Sequence, residues 1–433
     1  MRAYIDRAVG LAKSQSAKDT YVLFAGNVAS AFLGFLFTLI IARGLSVGDF
    51  GVFSAVNNLI AIISSLADVG ISAGLVTFVA NFQAKGDTKN SHRFLKASLV
   101  VRVAATSLLS LLVLAFAPSV KKLLASEDMS VIYWSVALSF GLLFWAYFPT
   151  ALQAYKRFIA SVSVDLTIGI VRALSVYIFF VAGVLTLNTS FLSFTVGGLA
   201  AAALGVLLLG PSFLKVDTPK EVYSKLLRFS GWVGVNRVVS AISGRLDVQM
   251  LAVMSGATIT GQYSIAQRLA LFIAVLTSSL SNVMAPRLSS FEDRHKEKVY
   301  IIKATLATLV IVFGMVVWMI IARPFVTFLF GQKYEEAVPI FRAFVGSLIP
   351  FVLATPPVTA IIYSIKRPVY IGYFSFFQLA AIFLINILLI PKLGAFGPLV
   401  AFFVVNTILA VYSWIIVFRH YWVNPKPKTL ISK

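Results

Sequence analysis

Apolar runs of about 20 residues recur along the whole of this 433-residue chain, and a helix of that length crosses the ~30 Å hydrocarbon core of a bilayer. In lipid every backbone N–H and C=O needs an internal partner, so repeated runs of this kind fold as a bundle of helices. Twelve spans can be read, near residues 21–43, 49–80, 94–117, 130–154, 160–184, 189–211, 228–254, 259–286, 299–322, 337–364, 369–390 and 395–419. The second, eighth and tenth are long enough to project past the bilayer or to bend. Pro149, Pro350, Pro356 and Pro357 lie inside spans and are expected to kink them. The chain is 59% hydrophobic and 12% charged, which leaves too little polar surface to clothe a water-soluble globule. The expected fold class is an all-α polytopic membrane protein.

Several chemistries are excluded on residue types. There is no cysteine, hence no disulfide, thiol nucleophile or thiolate metal site. The three histidines, His92, His295 and His420, sit in basic polar segments at helix ends, so no metal or cofactor is expected. No glycine-rich phosphate loop is present to support ATP hydrolysis. No outer loop is long enough to house catalytic groups, and an enzyme is not expected. The net charge of +21 falls mostly in short loops between spans, where membrane topology accounts for it without a nucleic-acid partner. Arg2, Arg7, Lys13 and Lys18 are scattered through a segment with no compact apolar stretch, which reads as a cytoplasmic lead-in and not as a cleaved signal peptide.

Lysines and arginines fill alternate connecting segments. Beginning with the N-terminus, these carry clusters such as Lys85, Lys89, Arg93 and Lys96, or Arg287, Arg294, Lys296, Lys298 and Lys303. The opposite side has only Arg43, Lys121, Lys122, Arg323, Lys333 and Lys392. The positive-inside rule then places both termini in the cytoplasm.

The chain also repeats itself. Gly51 to Leu59 reads GVFSAVNNL, and 210 residues later Gly261 to Leu269 reads GQYSIAQRL. Lys96-Ala97-Ser98 and Lys303-Ala304-Thr305 open the third and ninth spans. Lys156-Arg157 and Lys366-Arg367 close the fourth and tenth, and Pro118 and Pro324 follow the third and ninth. Order and spacing are kept throughout. The chain therefore reads as an N-terminal six-helix bundle (1–211), a charged linker (212–227) and a C-terminal six-helix bundle (228–433). Six is even, so the halves are parallel repeats, an arrangement that places a central cavity between two bundles. The run GGLAAAALG, Gly197 to Gly205, reads as close helix packing.

Charges inside spans are costly, about 2.5–3.5 kcal/mol each at mid-bilayer on the insertion scale. Arg102, Arg172, Arg237, Arg245, Arg268 and Arg342 fall there, against Asp68, Asp165 and Asp247. For Arg342, near a span end, snorkelling is the simpler reading; Arg102 is left open between structure and function. Asp165 and Arg172 share a helix face, and a structural polar pair is an even alternative. The seventh span is richest, with Asn236, Arg237, Arg245 and Asp247 on one expected helix. The two arginines are eight residues apart, about 80° around the axis. Asp68, Asp165 and Asp247 are candidate proton or sodium sites, or counter-charges for the arginines. An excess of buried guanidinium suits an anion, since it binds phosphate oxygens bidentately and keeps its proton. A lipid with a phosphate or pyrophosphate head fits both the charge and the membrane setting.

The stretches ARGLSVGDFGVFSAV (Ala42 to Val56) and RLDVQMLAVMSGATITGQYSIAQRLA (Arg245 to Ala270) resemble the polysaccharide transporter and O-antigen flippase family. That family shares a superfamily with multidrug and toxin extrusion proteins and lipid II flippases. The resemblance implies export of an undecaprenyl-pyrophosphate-linked oligosaccharide by alternating access, with helices one, two, seven and eight lining the cavity. Lipid II flippases carry an arginine associated with headgroup binding in an Ala-x-Arg-Leu element, which Ala266-Gln267-Arg268-Leu269 matches here. On this reading Arg268, Arg237, Arg245 and Arg172 bind substrate together with Asn58 and Asn236, the amides meeting sugar hydroxyls. Lipid II flippases typically have fourteen helices against twelve here. The alternatives are a cation-coupled multidrug antiporter of the same superfamily, or a scaffold for glycan-assembly enzymes. Multidrug exporters favour acidic cavities, opposite in sign to this interior.

Overall fold

The computed structural model describes residues 15–291 and 293–423. Fifteen α-helices carry nearly all of them: α1 Gln15–Gly44, α2 Val47–Asp68, α3 Ile71–Ala84, α4 Thr88–Ala115, α5 Ala117–Leu123, α6 Ser130–Ala154, α7 Phe158–Val181, α8 Leu187–Leu209, α9 Lys220–Ser243, α10 Leu246–Ser290, α11 Arg294–Ile320, α12 Ala322–Phe330, α13 Ala337–Tyr363, α14 Val369–Leu393 and α15 Phe396–Phe418. Among the described residues, 11 helices are long and apolar enough to cross a membrane. Expected spans seven and eight meet in the single stretch Ala241–Ser290. There Gly256, at φ 80° and ψ 177°, turns the chain between two helical segments.

The helices are packed inside-out relative to a soluble bundle. Large apolar side chains point away from their neighbours, as Leu306, Val310, Phe313 and Ile320 do along α11, which is what a lipid-facing stripe requires. The buried faces are rich in small hydroxyl residues, among them Ser98, Thr106, Ser135, Ser139 and Ser193. Ser135 and Ser139 donate to the carbonyls of Val131 and Ser135, both at 2.7 Å, so their donors are satisfied within their own helix. The glycines of the Gly197–Gly205 run sit where α8 crosses its neighbours. A Cβ on Gly197 would lie 3.1 Å from Ile168 O on α7, and one on Gly205 would lie 2.3 Å from Phe148 on α6.

The chain divides into two compact units, Met1–Ile242 and Ser243–Lys433. In the first, α1 runs along α7, and α8 packs on both α6 and α7. In the second, α13 is central and contacts α10, α11 and α15. The repeated prolines fall at equivalent places: Pro118 and Pro324 each lie in the first turn of a short helix, α5 and α12, after the third and the ninth expected spans. The segment after α8 is tied down, because Arg93 Nε and Lys96 Nζ of α4 donate to the carbonyls of Asp217 and Val216 at 3.0 and 2.9 Å.

Two expected helices are interrupted. The long second span bends sharply, its helix α2 ending at Asp68 and α3 starting at Ile71, with Val69 (φ 33°) and Gly70 (φ 78°) both left-handed. A Cβ on Gly70 would lie 2.7 Å from Ser230 O and 2.9 Å from Gly234 N, so the bend needs glycine both for its backbone and for the approach of α9. The seventh span, expected as one helix, is also broken: α9 stops at Ser243 and α10 starts at Leu246. Gly244 and Arg245 form the turn between them. Arg237 and Arg245 therefore do not lie 80° apart on one helix, and α9 packs within the first unit.

Candidate functional site

The broken seventh span brings its charges to a junction. Arg245 precedes α10 at φ −133°, and Asp247 lies in that helix's first turn, where a carboxylate meets the positive end of the peptide dipoles. Asp247 is fully buried. Its Oδ2 accepts from the phenol of Tyr263 at 2.6 Å and from the amide Nε2 of Gln267 at 2.9 Å. Tyr263 is as buried as Asp247, so this bond pairs the phenol with Oδ2 away from water.

The Arg245 guanidinium lies within electrostatic reach of both Asp247 and Arg268. Arg245 thus stands between a second cation and a carboxylate, and that carboxylate is already held by two hydrogen bonds. The cluster holds two arginines to one carboxylate, and the two guanidinium planes offer ten N–H donors in all. Gln262 anchors the same stretch of α10 by donating its amide to Glu336, just before α13.

Comparison of the two halves shows how this was built. In the first, Phe37 of α1 packs on Phe53 of α2, ring centroids 6.1 Å apart. Adding 210 to each number gives Asp247 and Tyr263, so an apolar pair in one half is a hydrogen-bonded polar pair in the other. Asn57 and Asn58 likewise become Gln267 and Arg268. Asn57 donates to its own helix at Phe53 O, 2.8 Å, whereas the longer Gln267 reaches Asp247. One half keeps a packed aromatic contact and the other holds a charged cluster.

The remaining candidates are placed elsewhere. Asn58 is buried on α2 and Asp68 ends that helix, both in the first unit. Asp68 accepts from the Ser72 backbone N and Oγ at 3.1 and 2.6 Å and lies 3.7 Å from Arg102 Nε. Asp165 accepts from the indole of Trp145 at 2.9 Å. Arg172, on the same helix, stacks over Phe37 and Phe194 at 5.0 and 5.7 Å from the ring centroids, a cation–π cage. Arg342 donates to Met319 O at 3.0 Å. The side chains of Asn236 and Arg237 lie outside the described residues. Among the described residues no group of three metal-ligating side chains occurs.

Sequence reasoning singled out Arg245, Asp247 and Arg268 but missed Tyr263 and Gln267. The signal was there: both are polar residues in the second copy of the repeat, four apart and so on one helix face.

Residues 16–292 match a family described as polysaccharide biosynthesis protein. The chain is 24% identical over 337 residues to the membrane protein EpsK of Bacillus subtilis (strain 168), covering 74% of this chain and 66% of that one. It is 22% identical over 325 residues to the lipopolysaccharide biosynthesis protein WzxC of Escherichia coli (strain K12), covering 72% and 62%. It therefore spans a little under two thirds of the length of these relatives. The fold resembles that of the lipid II flippase MurJ in an inward closed conformation, with a TM-score of 0.73 at 14% identity over 92% of this chain and 87% of that one. It also resembles a multidrug resistance MATE family transporter of the MOP superfamily in an inward-facing conformation, with a TM-score of 0.70 at 13% identity over 89% and 93%. The chain is a multi-pass membrane protein with a fold shared by exporters and flippases, and it belongs to the polysaccharide biosynthesis protein family.

Proposed function

We propose that the chain moves a polyprenyl-pyrophosphate-linked oligosaccharide from the cytoplasmic to the outer leaflet of the inner membrane by alternating access. The observation that carries this is the Arg245–Asp247–Arg268 cluster, two half-buried arginines against one buried carboxylate. Family membership supplies the substrate class: the relative WzxC is a lipopolysaccharide biosynthesis protein, and the fold neighbour MurJ is a lipid II flippase. A pyrophosphate carries more charge than the surplus at the cluster, so it would draw both guanidinium groups toward itself. Asp247, fixed by Tyr263 and Gln267, keeps the empty site from a bare pair of repelling cations. Asn58 and the cation–π-held Arg172 remain candidate contacts for the glycan. On this reading both termini face the cytoplasm, beside the enzymes that would assemble the glycan.

The test is translocation. Purified protein in liposomes is given a labelled polyprenyl-pyrophosphate oligosaccharide, with its appearance on the far leaflet followed by an enzyme confined to that side. Protein-dependent transfer supports the proposal. Failure with several glycans, under imposed proton and sodium gradients, together with efflux of cationic dyes, would replace it with multidrug export.

A further inference from the structure

The first unit holds a second polar site that the arginine cluster does not use. A cavity of about 360 Å³ opens beside the α2–α3 bend, within the 300–1,000 Å³ range of small-molecule pockets. Ser64, Ser65 and Asp68 of α2, Ser72 of α3, Arg102 of α4 and Thr150 of α6 line it. Arg102 lines it and is only 2% exposed, yet its Nε and Nη1 make no hydrogen bond among the described residues. Asp68, at 3.7 Å, is an ion-pair partner too distant for a hydrogen bond, because its carboxylate is turned to the first turn of α3.

The hydrogen-bond inventory limits what this cavity can take. Ser65 and Thr150 each spend their single hydroxyl proton on the carbonyl one turn back, Ala61 O at 2.8 Å and Ala146 O at 2.9 Å. Ser72 spends its own on Asp68. All three thus offer only lone pairs to a ligand. Among the described residues an anion would find the Arg102 guanidinium, but beside it three hydroxyls that can only accept and a carboxylate. A metal cation would sit against a buried guanidinium. A neutral molecule that carries both donors and acceptors suits every group at once. We propose that this cavity binds a neutral sugar ring, its hydroxyls donating to Asp68, Ser65, Ser72 and Thr150 while Arg102 donates to a ring or hydroxyl oxygen. The inference rests on the lipid-linked oligosaccharide reading and adds a glycan subsite in the first unit, separate from the charged cluster in the second.

The test uses full-length protein in detergent micelles and the methyl glycosides of glucose, galactose and N-acetylglucosamine, with binding read by saturation-transfer NMR. At least one glycoside should bind saturably, and neither phosphate nor sodium chloride should displace it. Ala146→Phe fills the cavity from α6 while every polar residue of its lining is retained, and should abolish binding. Thr150→Val keeps the shape, removes one acceptor and should weaken binding about fivefold. No saturable binding by protein that still melts cooperatively would overturn the proposal. So would binding that Ala146→Phe leaves unchanged, or displacement by phosphate or sodium. Translocation of the lipid-linked substrate is measured in parallel. Transfer without sugar binding removes this inference alone, and sugar binding without transfer removes the flippase reading alone.

Discussion

The exchange of an aromatic pair for Asp247 and Tyr263 makes a quantitative demand on stability. Asp247 and Tyr263 are both fully buried, and their hydrogen bond of 2.6 Å links a phenol to a carboxylate. Hydrogen bonds to charged groups contribute about 1.5–3 kcal/mol, and a buried polar group stripped of its partner costs a similar amount. Tyr263→Phe removes the phenol from Asp247 and keeps the Gln267 amide, and Asp247→Leu removes the acceptor of the Tyr263 hydroxyl. Each single change should therefore destabilise the chain by about 1.5–3 kcal/mol. The double change restores the apolar logic of Phe37 and Phe53, and should be less destabilised than the sum of the singles by about 1.5–3 kcal/mol. The assay is a double-mutant cycle on unfolding in mixed detergent micelles, followed by tryptophan fluorescence. Additivity to within about 0.5 kcal/mol would mean that the two side chains do not act as a unit, and the account of the site's construction would fail.

Other consequences can be checked more simply. Gly70→Ala should lower the melting temperature more than Gly86→Ala. Both glycines have a left-handed backbone, which costs a non-glycine residue about 1–2 kcal/mol, but only at Gly70 would the new methyl also meet the backbone of α9. Acid should reveal the α4 cap. The Asn90 amide and side chain hold the Asp87 carboxyl below its usual range, assisted by Arg93 and Lys89. A lowered folded value means that the stabilisation is complete above about pH 4 and is lost as pH falls through the depressed value. The acid limb of the melting curve should thus be steeper for the wild type than for Asp87→Asn. The absence of native cysteine makes topology direct to probe: Lys122→Cys should react with an impermeant maleimide from outside intact cells, and Lys366→Cys only after permeabilisation.

Most of the fold was legible because bilayer physics leaves few options. Span length, the demand for internal backbone partners and the repeated landmarks at Pro118 and Pro324 lead directly to paired helical bundles. The interruptions were harder to read. A long second span gave reason to expect a bend, but its place depends on α9 packing against Gly70, a contact far apart in sequence. Nothing in the apolar run from 228 to 254 marks Gly244 as a break, since glycine is tolerated inside membrane helices.

The site was half legible. The substitution of Arg268 for Asn58 stands out when the two copies are aligned, and the cost of buried charge drew notice to Arg245 and Asp247. Tyr263 hid as one aromatic exchanged for another. Its meaning appears only with Asp247 beside it, and Phe37 and Asp247 lie outside the recognisable repeat. Arg102 could not be assigned from sequence, because its significance depends on the direction in which the Asp68 carboxylate turns.

The central claim is that the second half's cluster is a receptor for pyrophosphate. The most direct measurement compares binding of a polyprenyl pyrophosphate with that of the neutral polyprenol, by purified protein in nanodiscs, for the wild type and for Arg245→Gln/Arg268→Gln. The account predicts that the wild type prefers the pyrophosphate and that the paired variant loses the preference, with affinity falling by at least about tenfold, the equivalent of ~1.4 kcal/mol. An undiminished preference in the variant would contradict it and move the headgroup site elsewhere in the chain.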